Sequence, residues 1–304
     1  MSTTRNLSPI SQILMIGGLM IGGFLLNLLI SFLGMIPLKG LGGFMEVLSH
    51  PAENIGLLKS LQILQSICLF IVPAYFFSKI LGHNYTSYFH LNKTMVPRTA
   101  IIVIISMIAA IPFINLLGEF NGKMVLPEAL SGVERWIKMT EERAADITVL
   151  LVSGKSVFAL LVNLVMIAVL PAIGEELIFR GILQRILVNS TRNIHLAVVI
   201  SAFIFSAFHM QFYGFLPRFF IGIILGYLYV ASGTLWLPIL AHFINNAVAT
   251  IFFFLFNNGL VTDNLDTLGT GSDWQIGVLS AGILLIIYFY MERNKTQLQL
   301  NELK

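Results

Sequence analysis

The run VFALLVNLVMIAVL, Val157 to Leu170, passes directly into PAIGEELIFRGIL, Pro171 to Leu183. The first half carries no charge, and the second puts Glu175, Glu176 and Arg180 into the same continuous stretch. A bilayer core of roughly 30 Å is crossed by about 20 apolar helical residues. An ionisable group at that depth costs several kcal/mol, on the order of 3 or more, unless it is paired or faces a wet cavity. The stretch therefore reads as a membrane helix whose later turns serve a polar function, with Pro171 expected to kink it where it turns polar.

The rest of the chain has the same character. Of 304 residues, 57% are hydrophobic and 11% charged, against about a quarter charged in a soluble domain, and mean hydropathy is +0.86. Backbone polar groups in lipid must be satisfied within the segment, which leaves helices for runs of this length. The expected fold is an all-α, polytopic bundle of about eight transmembrane spans, at roughly 10–36, 56–80, 99–118, 156–188, 195–213, 215–232, 235–257 and 275–291. Residues 1–304 read as one membrane domain, with an extramembrane segment at 119–147 between the third and fourth spans. Within that segment ERWIKMTEERAAD, Glu134 to Asp146, reads as a surface helix with Trp136 and Ile137 against lipid or protein. The N-terminus has no small-residue cleavage site before its apolar run and reads as an uncleaved first span.

Charge assigns sidedness. Arg5, then Lys79, Lys93 and Arg98, then Arg185 and Arg192, then Arg293, Lys295 and Lys304 fall on one side of an eight-span chain, which the excess of positive charge marks as cytoplasmic. The other side receives Lys39, the 119–147 segment and the acidic 258–274 loop with Asp263, Asp266 and Asp273. A multi-pass cell-membrane protein with both termini inside is expected. The net charge of +3 reflects these loops, and no nucleic-acid partner is expected. Cys68, the one cysteine, lies in an apolar run and reads as a packing residue; it excludes a disulfide framework and a CxxC site.

Polar residues that lipid should not tolerate cluster in three spans: Glu175, Glu176 and Arg180 in the fourth, His209 in FSAFHM, and His242, Asn245 and Asn246 in AHFINNA. Glu176 and Arg180 stand at i and i+4 and suit an ion pair on one helix face. Glu175 is turned about 100° away and is the freer carboxylate, hence the better general base. His242 and Asn246 again share a face, and Phe205 lies one turn before His209, where it walls the pocket. Taken singly, these side chains read as structural pairs and interhelical glue. Together, a free carboxylate, two imidazoles and an amide suit water activation with oxyanion stabilisation. Counting along the helices places them in one pocket in the cytoplasmic half. Lys59 and Lys155 are expected to snorkel to the interface, and His50, His83, His90 and His195 receive no chemistry.

EELIFR at Glu175–Arg180 resembles the paired-glutamate-to-arginine motif of the CAAX protease and bacteriocin-processing (CPBP) family of intramembrane proteases, whose members include the CAAX prenyl protease 2 type. FSAFH at Phe205–His209 is similar to its second motif and HFINN at His242–Asn246 to its third, in the family's order and within a core of about 150–260. The resemblance implies an eight-helix fold and hydrolysis of a peptide bond in a membrane-bound or lipidated protein substrate within the bilayer. Carried over by motif position, Glu175 and His209 would activate water, His242 and Asn246 would hold the oxyanion, and Glu176 and Arg180 would orient the site. No cofactor is favoured; the alternative is a divalent metal such as zinc on Glu175, His209 and His242. Two rivals to an enzyme stand beside this reading: a non-enzymatic bacteriocin-immunity or partner-binding protein on the same fold, and a proton-coupled transporter.

Overall fold

A computed structural model describes residues 7–262 and 265–293, with side chains through 290. Arg5, Asp263, Lys295, Lys304 and the side chain of Arg293, all used to assign sidedness, lie outside the described residues. Among those described, the regular structure is helical, and every expected span is present as a helix. These are α1 (Pro9–Lys39), α2 (Ile55–Ile80), α3 (Pro97–Gly122), α5 (Val157–Thr191), α6 (Ile194–Phe208), α7 (Phe215–Ser232), α8 (Trp236–Asn257) and α9 (Trp274–Arg293). Between α3 and α5 lies the amphipathic α4 (Ser131–Val152). Among the described residues, seven helices are long and apolar enough to cross a membrane; α6, with 15 residues, is the short one.

Caps fix several starts. Ser8, Ser156 and Asn193 each accept a backbone N–H from the first turn of α1, α5 and α6, satisfying donors that a helix N-terminus leaves open. The segment expected at 119–147 begins within a helix, since α3 runs on to Gly122. The fifth span also departs from its expected range: it stops at Phe208, His209 is its C-cap, and Met210 follows with φ 53. His209 thus sits at a helix end, on a loop, rather than in mid-span. That loop meets α4, so the pocket lies toward the α4 end of α6. The pocket was expected in the cytoplasmic half. A helix of 15 residues is about 22 Å long, and only its far end reaches the level of Glu175.

Helix α5 runs unbroken for 35 residues. Its irregularities are two π-helical turns, Leu164–Val169 and Leu177–Gln184, on either side of the α-helical Leu170–Glu176. Pro171 has no N–H and would crowd the carbonyl four residues earlier; a π turn ends just before it, at the place where a kink was expected. The main core packs α1, α2 and the middle of α5 against α6 and α8, with Phe77, Phe89, Leu177 and Ile182 fully buried. Helices α6 and α7 form a close hairpin, and α3 packs on α7, α8 and α9. Cys68 is buried, as expected of a packing residue. Lys59, expected to reach the interface, donates its Nζ to Asn163 Oδ1 at 2.7 Å. Trp236 and Trp274 begin α8 and α9, where interfacial aromatics are common.

Candidate active site

Four helices contribute. Helix α5 supplies Glu175, Glu176 and Arg180, α6 supplies Phe205 and His209, α8 supplies His242 and Asn246, and α7 supplies backbone. Glu176 and Arg180 are both 0% exposed, so each charge must be met inside the protein. Arg180 Nη1 donates to Glu176 Oε1 at 2.6 Å, and Nη2 to the carbonyl of Gly222 at 3.0 Å. The expected ion pair is present, and its arginine also ties α5 to α7. One turn on, Gln184 Nε2 repeats the pattern on the carbonyl of Gly226 at 3.1 Å. Gly222 and Gly226 permit the approach, because a Cβ at either position would lie within 3.0 Å of a neighbouring helix.

Phe205 is 3% exposed. Its ring lies under the Arg180 guanidinium, 4.6 Å from carbon to centroid, and meets His209 and His242 edge-on at 5.1 and 5.9 Å. One aromatic side chain therefore holds three site residues at fixed spacing, which exceeds the walling role expected of it.

The two imidazoles are oriented through Nδ1. His209 Nδ1 faces the carbonyl of Phe205 at 2.9 Å; a carbonyl only accepts, so Nδ1 carries the proton and Nε2 presents a lone pair. His242 Nδ1 donates to Glu176 Oε1 at 2.9 Å. Both Nε2 atoms turn toward Glu175 Oε2, at 4.0 Å from His209 and 3.9 Å from His242. Glu175 Oε2 is buried with no protein hydrogen-bond partner. The separations exceed direct hydrogen bonds, and catalytic contacts are often long before substrate binds. Among the described residues, no group of three His, Cys, Asp or Glu is arranged to hold a metal ion.

Asn246 lies one turn beyond His242 on α8. Its Nδ2 donates to the carbonyl of Ile167 at 3.0 Å, and its Oδ1 accepts from Asn245 Nδ2 at 3.0 Å. Ile167 is four residues before Pro171, so its carbonyl cannot receive the usual helical N–H; Asn246 supplies a donor in its place. Glu175, Glu176, Arg180, His209 and His242 are joined by these contacts, whereas Asn246 is tied to α5 at Ile167.

Four features had escaped the reading of the sequence. Glu176 binds His242 as well as Arg180. Gln184 ties α5 to α7. Glu141 of α4 accepts the backbone N–H of Phe212 at 2.6 Å and of Tyr213 at 3.3 Å, pinning the loop that follows His209. Arg218 stands in the first turn of α7, its charge within electrostatic reach of Glu175 and His209. Arg218 was legible as an ionisable residue in the apolar run FLPRFFIGIILG; Glu141 had no local signal.

The helices define a multi-pass membrane protein, and its core holds a buried carboxylate–histidine constellation. Residues 157–248 match the family model Rce1-like, described as type II CAAX prenyl endopeptidase Rce1-like, and the matched stretch contains all three motifs. The CPBP resemblance read from those motifs is thereby shown, and it supports a CAAX-type intramembrane protease in general terms. Comparison with curated proteins and with solved structures gave no match in either set.

Proposed function

We propose that the protein is an intramembrane endopeptidase that hydrolyses a peptide bond in a membrane-associated or lipidated peptide, with water activated by Glu175 and His209. The observation that carries this reading is the buried, unpartnered Glu175 Oε2, about 4 Å from two Nε2 atoms whose rings are fixed through Nδ1. Water held between Glu175 and His209 gives a proton to Glu175 as its oxygen attacks the scissile carbonyl carbon. The carbonyl π pair moves to oxygen, and the tetrahedral oxyanion takes hydrogen bonds from Asn246 and from a protonated His242, with Glu176 as counter-ion to the imidazolium. Collapse restores the carbonyl, breaks the C–N bond and returns the proton from Glu175 to the leaving nitrogen. Arg180 holds Glu176 in place and, through Phe205, keeps His209 and His242 in register.

We favour this site without a metal. In this scheme Glu175 carries the proton, His209 holds the water and His242 stabilises the oxyanion, so 1,10-phenanthroline is expected to leave turnover unchanged. The test of the main reading is capture of the natural membrane substrate in a Glu175→Gln background, followed by comparison of its cleavage with wild type. Accumulation of intact substrate in the variant and its cleavage in wild type are expected. Equal processing would remove Glu175 from catalysis, and a partner that binds both forms and is cleaved by neither would favour the immunity or partner-binding reading.

A further inference from the structure

Arg218 belongs to none of the three motifs, and its placement runs against helix electrostatics. It lies in the first turn of α7, where the macrodipole disfavours a cation. Nη2 donates to Gln211 Oε1, but Nη1 is buried with no protein partner. Gly214 makes room for it, since a Cβ there would collide with the guanidinium. The acid on its α4 side, Glu141, spends its oxygens on the N–H groups of Phe212 and Tyr213 and acts on Arg218 only through space.

Register places this cation at the reacting centre. Helices α5 and α7 run parallel, with Gln184 opposite Gly226 and Arg180 opposite Gly222. Four residues back on each helix, the next rung sets Arg218 level with Glu176, beside Glu175. The site thus holds a cation with one unused donor, at the height where a peptide bond must lie. A guanidinium N–H binds a carboxylate in a short, charge-assisted hydrogen bond, and a buried cation gains most from a counter-charge that arrives with the ligand. Nη1 lies inside the protein beside Gly214, closed to solvent, so a counter-charge reaches it only with a ligand that enters the site.

We propose that Arg218 receives a carboxylate of the peptide substrate through Nη1 and thereby sets which bond lies over Glu175. The inference rests on the peptidase reading of the same site. The carboxylate has two sources, a free C-terminus or an acidic side chain next to the scissile bond.

Three dansyl-labelled S-farnesyl peptides of one sequence separate these sources: a C-terminal free acid, its carboxamide, and the carboxamide with one Asp introduced after the farnesylated cysteine. Wild type in phospholipid nanodiscs reads kcat/KM, and Glu175→Gln in the same nanodiscs reads Kd without turnover. A carboxylate-bearing peptide is expected to be favoured over the neutral one by about 10- to 100-fold, the free acid if the terminus is read and the Asp peptide if a side chain is read. Arg218→Gln should bring the ratio close to one, and Arg218→Lys should restore part of it. Equal handling of all three by wild type would overturn the anchor while leaving the peptidase reading intact, as would a preference that persists in Arg218→Gln. A carboxylate preference in Kd with no cleavage by wild type would keep the anchor and remove the peptidase reading. Failure of all three to bind overturns the anchor. If Arg218→Gln does not fold, Arg218→Lys carries the comparison: a ratio reduced from that of wild type supports the anchor, and an unchanged ratio overturns it.

Discussion

Neighbouring residues on a helix point about 100° apart, and that rotation gives Glu175 and Glu176 different surroundings. Glu176 Oε1 accepts from Arg180 and His242, whereas Glu175 Oε2 has no protein donor. Glu175→Gln is therefore expected to abolish cleavage with no loss of folded protein, read by turnover alongside thermal melting; near-normal turnover would end its assignment as base. Arg180→Ala should instead unfold the protein readily, because it strands a carboxylate that is 0% exposed, at a cost of about 3–5 kcal/mol. Asn246 has two duties to separate. Asn246→Ala should lower thermal stability by about 1 kcal/mol through the lost bond to Ile167, and should lower kcat in the folded fraction by about 10²–10³ with KM little changed if its remaining N–H serves the oxyanion. A fall in stability with kcat unchanged would leave Asn246 as the substitute donor for Pro171 alone.

Helix α4 is the element whose role grows most once its contacts are known. Its sequence reads as a surface cap, and Trp136 is indeed exposed, yet its inner face grips the loop that begins at His209. Glu141 binds the N–H groups of Phe212 and Tyr213, Glu134 accepts from the Tyr213 hydroxyl at 3.2 Å, and Lys138 pairs with Glu134 at 2.7 Å. At the next residues, Asn121 from α3 accepts the N–H of Leu216. Glu141→Ala should speed amide exchange at 210–216 and lower kcat more than it raises KM, because His209 loses its fixed position and substrate contacts remain. The Lys138 ammonium holds the Glu134 carboxyl below its usual range. A depressed carboxylate contributes stability above its unfolded pKa and loses it as pH falls through the folded value. Attachment of α4, followed by exchange at Tyr213, is thus expected to be intact at neutral pH and to weaken only on acidification below about pH 4.5.

At the scale of the whole molecule, alternation of spans puts the 209–214 loop and α4 on one side and the turn between α5 and α6 on the other. Charge bias predicts that the second side is cytoplasmic. In a Cys68→Ser background, single cysteines at Asp273 and Met210 should react with an impermeant thiol reagent from outside, while one at Asn189 should be protected until the membrane is opened. Met210 is 82% exposed and reports the side to which the His209 end of the site opens. Labelling of Asn189 from outside, with Met210 protected, would invert the topology.

Hydrophobic run length and composition were sufficient for the helices, because in lipid each span must satisfy its own backbone and so announces itself locally. Helical spacing was sufficient for Glu176 with Arg180 and for singling out Glu175, since residues on one helix keep a fixed angular relation. Three motifs in order also carried the resemblance that the family match to 157–248 bears out. What the sequence could not contain were relations between helices. That Glu176 orients His242, that Asn246 serves the carbonyl beneath Pro171, that α6 ends at His209 and that Glu141 and Arg218 stand beside the site all depend on how helices far apart in the chain are packed. No periodicity within one span encodes the register of another. Close approach at Gly222 and Gly226 sets that register, and only the packed bundle brings the buried charges to their partners.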